Sequence, residues 1–273
     1  MANEEARAKE KEMSFWQHLE ELRWHLVRSV LAIISLSIIA FIGKNIVFDQ
    51  IILAPIKNDF ISYQLLCKLG NLFSTDILCL DNSNWELINY HMSGQFITHL
   101  YVSFMVGLIV GFPYVFYQIW SFIKPALYDH EAKHTKGAVF ICSVLFILGV
   151  LFSYFIVLPL TINFLGTYQI SESVGNQIHL RSYISTVLSL TFSLGIVFEL
   201  PVVVFFLSKA GILTSGYMKK NRKYMIVILL IVSAIITPPD WISQVMVVIP
   251  LMLLYELGIS IAKRVEKSRE EEE

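Results

Sequence analysis

Four carboxylates, Glu20, Glu21, Asp129 and Glu131, fall in two short charged stretches, HLEELR and YDHE. Each stretch borders an apolar run. Carboxylates gathered at a membrane boundary bind cations. A planar guanidinium, whose donors match both carboxylate oxygens, is the best-fitting partner. The same four residues also read as solvated surface charges paired with Arg23, Lys124 and Lys133. A fifth acid, Glu199, lies in LTFSLGIVFELPVVVFFL, Leu190 to Leu207, two residues before Pro201. A carboxylate at that depth in hydrocarbon costs about 3 kcal/mol on insertion scales, so it must face protein or water. It marks a transport pathway, a binding groove or a tolerated polar position. The sequence holds no Gly-rich phosphate loop and no CxxC, and its 7 histidines show no metal-ligand spacing on one helix face. Ser and His occur without an activating context. The chain therefore reads as a non-enzyme that needs no cofactor.

The elements that must position these acids are apolar helices. Of 273 residues, 55% are hydrophobic and 16% charged, with a mean hydropathy of +0.62. Soluble domains average about 25% charged residues. The fold class expected is an all-α, polytopic membrane protein. A net charge of −1 gives no case for nucleic acid. Residues 1–12, MANEEARAKEKE, are charged and lack the apolar core of a cleavable signal, so the N-terminus is expected to stay cytoplasmic.

Six spans are expected, at about 24–42, 96–117, 137–158, 183–207, 224–236 and 241–262, within a membrane domain 14–264 flanked by polar tails 1–13 and 265–273. Ser14 with Gln17 reads as a capping box that starts the first helix. Phe15, Leu19, Leu22 and Leu26 then share one face, with His18, Glu20 and Glu21 off it. Arg28 can snorkel to the interface. The interval 43–95, with Pro55, is too long for a tight loop and predicts short helices of its own. It also carries Cys67 and Cys79, which are either a disulfide or two unpaired thiols. Pro113 is expected to break the second span and Pro159 to close the third, with a polar loop over 161–181 after it. Gln244, Pro250 and Glu256 interrupt the last. The fifth span has 13 apolar residues, about 20 Å against a hydrocarbon core of about 30 Å. Either the bilayer thins there or the hairpin sits low and is covered by other helices. With six spans, 17 Lys and Arg fall on the side of both termini and 4 on the other, which places both termini in the cytoplasm.

Five motifs then resemble the TatC family, the multispanning receptor of the twin-arginine protein translocase. They are SFWQHLEELRWHLVRS (14–29), FPYVFYQIWSFIKPALYDHE (112–131), FSYFIVLPL (152–160), GIVFELPVVV (195–204) and ITPPDWISQ (236–244), in the family's order and spacing over about residues 14–264. The resemblance implies a concave six-helix bundle in a prokaryotic plasma (inner) membrane. It implies that Glu21 and Glu131, with Phe122 and Arg23, bind twin-arginine signal peptides. It matches Glu199, Asp240 and Pro55 to family positions, and places Gln244 near the contact with small single-span partners. The implied partners are TatA-type proteins, TatB-type proteins where present, signal peptides of folded cargo, further copies of the chain, and membrane lipid. With no nucleotide site, transport would draw on the membrane potential or proton gradient. Two features fall outside the family pattern: the length of 43–95 and the extension before Ser14. The competing readings are a secondary transporter using Glu199 or Glu256, for which the two halves show no internal repeat, and an assembly scaffold.

Overall fold

The structure is a computed structural model describing residues 15–57, 59–72, 87–123, 135–171, 175–237 and 241–270. In order, the helices are α1 (Phe15–Ile42), α2 (Ile61–Leu72), α3 (Gly94–Ile123), α4 (Thr135–Phe152), α5 (Leu158–Thr167), α6 (Leu180–Val197), α7 (Leu200–Lys209), α8 (Ser215–Lys220), α9 (Arg222–Ile236) and α10 (Trp241–Glu270). Two strands, β1 (Leu87–Ile88) and β2 (Ile178–His179), pair in parallel with Leu87 opposite Ile178 and Ile88 opposite His179. Among the described residues five stretches are long and apolar enough to cross a membrane: Leu19–Ile42, Gly94–Phe122, Gly137–Thr167, Leu180–Lys209 and Ser243–Ser268. The helix α9, at 15 residues, is about 22 Å long and short of that length.

The chain divides into two compact units. One comprises residues 1–40 and 103–143. In it α1 and α3 pack antiparallel, and glycine permits the approach. A Cβ on Gly107 would fall 2.7 Å from the backbone nitrogen of Ser37, and one on Gly111 would fall 3.2 Å from the Leu36 side chain. Small residues where helices cross are the usual solution in lipid, where no hydrophobic force drives the helices together. Pro113 does not break the span as expected: α3 runs through it without interruption. Proline removes one backbone donor, a loss that membrane helices tolerate when neighbouring groups satisfy the freed carbonyl.

The other unit comprises residues 41–102 and 144–273. The interval after α1 contains short helices, as expected: a π-helical turn Ile46–Ile52, a 3-10 turn Ala54–Ile56 and α2. Irregular backbone of this kind leaves carbonyls to be satisfied, and tyrosines meet them. Tyr63 Oη donates to Pro55 O (2.7 Å), Tyr154 Oη to Ile51 O (2.6 Å) and Tyr183 Oη to Ile52 O (2.7 Å).

Pro159 does not close the third span. A π-helical stretch Ser153–Val157 precedes it and the helix resumes as α5 to Thr167, so the first residues of the expected 161–181 loop are helical. Pro159 falls in the first turn of α5, where a missing N–H does least harm, and the wider π turn absorbs the mismatch with α4. The fourth span, expected as one helix, is two. α6 ends at Val197, and α7 restarts with Pro201 in its first turn. The last span is continuous: α10 carries Gln244, Pro250 and Glu256 without interruption and takes in residues 265–270 of the expected tail.

The core of this unit gathers Val157, Leu194, Phe198, Val204, Leu251 and Tyr255 among others. α4 and α6 cross closely: a Cβ on Gly149 would lie 2.7 Å from Leu194 O, and one on Gly195 would lie 2.7 Å from the Phe146 ring. After α7, Gly211 adopts φ 73°, a left-handed conformation that glycine reaches without strain. Thr214 Oγ1 then accepts from the Tyr217 backbone N–H (3.2 Å) to start α8. Glu266, far along α10, accepts from both the backbone N–H of Ser215 (2.6 Å) and its hydroxyl (2.5 Å).

Candidate functional site

In the first unit, the HLEELR segment forms the opening turns of α1. Leu19, Leu22 and Leu26 are exposed, so the apolar face predicted for this helix is not buried within the chain. Glu21 is half-buried, while Arg23 is exposed with its guanidinium 5.6 Å from the Trp24 ring centroid. One turn beyond Glu21, His25 Nδ1 donates to Gln118 Oε1 on α3 at 2.6 Å. The His25 ring meets Phe122 edge-on, with centroids 6.3 Å apart. Helical spacing places Glu21 and His25 on the same face. The structure thus brings Glu21, His25, Gln118 and Phe122 to one end of the α1–α3 pair. Below them Phe112, Phe116 and Trp120 form a ladder at i, i+4 spacing, with centroids 6.2 and 6.4 Å apart. Glu131 follows Phe122 in sequence but lies outside the described residues.

Sequence reasoning missed His25 and Gln118. The available signal was polarity: a histidine in the first span and a glutamine in an aromatic-rich helix both need partners in an apolar setting. Gln118 is 4% exposed, so its amide depends on the bond from His25.

The second unit holds the remaining expected residues. Glu199 is 8% exposed, enclosed by protein rather than presented on an open face. It occupies the junction of α6 and α7, where its carbonyl accepts from the N–H groups of Val202 (2.9 Å) and Val203 (3.1 Å). The positive end of the α7 dipole offsets part of the cost of a carboxylate there. Gln244 Nε2 donates to Leu230 O across to α9 (3.2 Å), and Ser233 Oγ returns a bond to Gln244 O (3.0 Å). Thr161 and Ser243 hydroxyls join α5 to α10 at 2.5 Å. Pro55 is fully buried in the 3-10 turn. Asp240 and Cys79 lie outside the described residues. Cys67 is disulfide-bonded, and Cys142 is a buried thiol outside any disulfide. Among the described residues no group of three or more His, Cys, Asp or Glu could hold a metal ion.

Residues 17–250 match the family described as Sec-independent protein translocase protein (TatC). The chain is similar to the Sec-independent protein translocase protein TatC of Blattabacterium sp. subsp. Periplaneta americana (strain BPLAN). The two are 44% identical over 260 residues, covering 94% of this chain and 98% of the relative. Its counterpart in Aquifex aeolicus (strain VF5) is 36% identical over 260 residues, covering 95% and 98%. A solved structure, the crystal structure of the twin arginine translocase receptor TatC, superposes with a TM-score of 0.70. It shares 37% sequence identity and covers 91% of this chain and 99% of that one.

Proposed function

The chain belongs to the TatC family, a membrane component of the twin-arginine (Sec-independent) protein translocase and not an enzyme, and on that premise we propose that it is the complex's receptor for twin-arginine signal peptides. Glu21 and Glu131 accept charge-assisted hydrogen bonds from the paired guanidinium groups, each worth about 1.5–3 kcal/mol when partly buried. Phe122 closes the apolar side of the site, and Arg23 sets the local charge. A lysine pair in the peptide loses the bidentate geometry and binds more weakly. The observation that supports this reading best is the meeting of Glu21, His25, Gln118 and Phe122 at one end of the α1–α3 pair.

In this reading six spans cross a prokaryotic inner membrane, with α9 as the short fifth. Both termini are cytoplasmic, in keeping with the 17-to-4 division of Lys and Arg. The membrane domain is 14–264. TatA-type and TatB-type single-span proteins dock near Gln244, and further copies of the chain join the same complex. The buried Glu199 and Pro55 act from beneath the intramembrane and outer surfaces against which those partners assemble, and Asp240 contributes to the outer one. The disulfide of Cys67 is made with Cys79 in the oxidising compartment outside.

Photo-crosslinking of a twin-arginine signal peptide to membranes containing the protein tests the assignment. Charge reversal at Glu21 and at Glu131 abolishes the crosslink. If both variants still bind an Arg-Arg peptide and reject a Lys-Lys one, the carboxylates are not the receptor groups.

A further inference from the structure

The residues that follow α1, the first turns of α3 and Leu180 at the start of α6 border a cavity of about 420 Å³ in the second unit, whose polar lining includes Lys44, Asn45, Asp49 and Gln95 beside Phe48 and Phe96. Its place along the chain fixes its depth. Lys44 comes two residues after the apolar span that ends at Ile42, and Gln95 is the second residue of the span that begins at Gly94. In a helix that crosses the bilayer, such positions sit where hydrocarbon gives way to headgroups. The flanking side chains agree: Ile42 is 78% exposed, Ile46 58% and Phe96 63%, so an apolar surface fit for acyl chains adjoins the polar cavity.

The polar lining carries one cation and one anion. Among the described residues neither the Lys44 ammonium nor the Asp49 carboxylate takes part in an ion pair, although both face the same cavity. Lys57 donates to the backbone carbonyl of Asp49 (3.0 Å), which holds that turn without occupying the carboxylate. His99 is committed elsewhere: its Nε2 donates to Phe41 O at 3.1 Å, and its ring stacks on Phe41 with centroids 4.0 Å apart. The amides of Asn45 and Gln95 supply further donors and acceptors. A site with one unpaired charge of each sign, amide groups between them and an apolar flank complements a zwitterion with an attached chain.

We propose that this cavity binds the headgroup of a zwitterionic phospholipid with a primary amine, that is, a phosphatidylethanolamine, in the leaflet remote from the N-terminus. The phosphate accepts from Lys44 and from the amides of Asn45 and Gln95. The ammonium donates to Asp49, with the faces of Phe48 and Phe96 near its charge. The acyl chains lie along Ile42, Ile46 and Phe96. The proposal rests on reading α1 and α3 as membrane spans; it needs neither the signal-peptide assignment nor any partner protein.

The purified full chain is reconstituted in nanodiscs of equal parts phosphatidylethanolamine, phosphatidylcholine and phosphatidylglycerol, then released for native mass spectrometry of retained lipid. Phosphatidylethanolamine is expected to be enriched. Lys44→Gln lowers its retention about fivefold, the effect of one basic residue at a membrane surface, and Lys44→Arg restores it. Asp49→Asn switches the preference to phosphatidylglycerol, because only the phosphate-binding half remains. Free phosphoethanolamine does not displace the lipid, since the acyl chains contribute to affinity. Unfolding temperatures of all variants are checked for equality with the parent. Equal retention of the three lipids, or insensitivity to both Lys44→Gln and Asp49→Asn, overturns the site. Enrichment of phosphatidylglycerol by the parent chain, or retention of phosphatidylcholine as strong as that of phosphatidylethanolamine, overturns the zwitterionic primary-amine assignment. Displacement by free phosphoethanolamine overturns the lipid as the ligand. Signal-peptide crosslinking is unaffected by any of these outcomes, so failure here and failure of the receptor reading are separable.

Discussion

At the scale of single residues, the bond between His25 and Gln118 ties the charged opening of α1 to α3. Gln118→Leu removes the acceptor and leaves the imidazole N–H without its partner in a half-buried setting. The expected loss is about 1–2 kcal/mol of stability, read as a lowered midpoint of thermal unfolding in detergent. Signal-peptide crosslinking is expected to fall with it, because Glu21 sits one turn away. Gln118→Glu, which keeps an acceptor, is expected to retain most of both. The two glycines at the α4–α6 crossing offer a second test. A Cβ on Gly195 meets the edge of the Phe146 ring, whereas one on Gly149 meets the backbone of Leu194 and Gly195. A ring can tilt and a helix backbone cannot, so Gly149→Ala is expected to destabilise more than Gly195→Ala, within the range of about 1–3 kcal/mol for overpacking. Equal costs in parallel thermal melts would show that the helices separate rather than the ring adjusting.

At the scale of elements, apolar runs were legible in the sequence because length and hydropathy alone identify a span. Each of the five long stretches overlaps an expected apolar run, although the third continues to Thr167 and the last to Ser268. What the sequence could not show was how prolines are accommodated. Pro113 and Pro250 stand inside continuous helices, Pro159 follows a π turn, and Pro201 restarts a helix after a true break. The same residue type has these different outcomes because each depends on what satisfies the carbonyl it frees, and that is set by tertiary neighbours. The two-residue strand pair was invisible for a related reason: β1 and β2 lie on either side of α3, α4 and α5 and have no alternating pattern long enough to read. Of the candidate site, type and spacing single out Glu20, Glu21, Asp129 and Glu131 in the sequence, of which Asp129 and Glu131 lie outside the described residues. His25 and Gln118 are not singled out this way, since their pairing joins helices far apart in sequence. The link from Glu266 to the start of α8 is likewise non-local. Glu266→Ala is expected to speed hydrogen exchange of the amides of residues 215–220 by about one to two orders of magnitude, while those of α6 are unchanged.

At the scale of the whole molecule, the distribution of Lys and Arg and the shortness of α9 make one joint claim. The six-span reading requires that a helix of about 22 Å connect two aqueous faces. Single cysteines placed along 224–236, in a chain whose native cysteines are replaced, are expected to react with a membrane-impermeant maleimide at both ends of α9. Labelling of Tyr224→Cys from the cytoplasmic side and Ile235→Cys from the outside would establish a crossing through a thinned bilayer. Labelling of both from the cytoplasmic side would reduce the number of crossings to five and place the C-terminus outside. The direction of the charge division argues for the first outcome, because Lys219, Lys220, Arg222 and Lys223 cluster at one end of α9 and Lys263, Arg264 and Lys267 stand near the end of α10.

The three phenol hydroxyls that grip Ile51, Ile52 and Pro55 each donate to a main-chain oxygen, an acceptor every residue type carries. A clasp of that kind is blind to spelling. Residues 46–56 can be rewritten at their exposed positions without loosening it, provided the backbone path is kept. Its vulnerability lies in the tyrosines themselves, which come from α2, the π turn after α4, and α6. For the backbone path of this segment, change at its exposed positions is therefore tolerated, while the buried Val47, Ile52 and Pro55 within it and the three tyrosines at a distance are the sensitive positions.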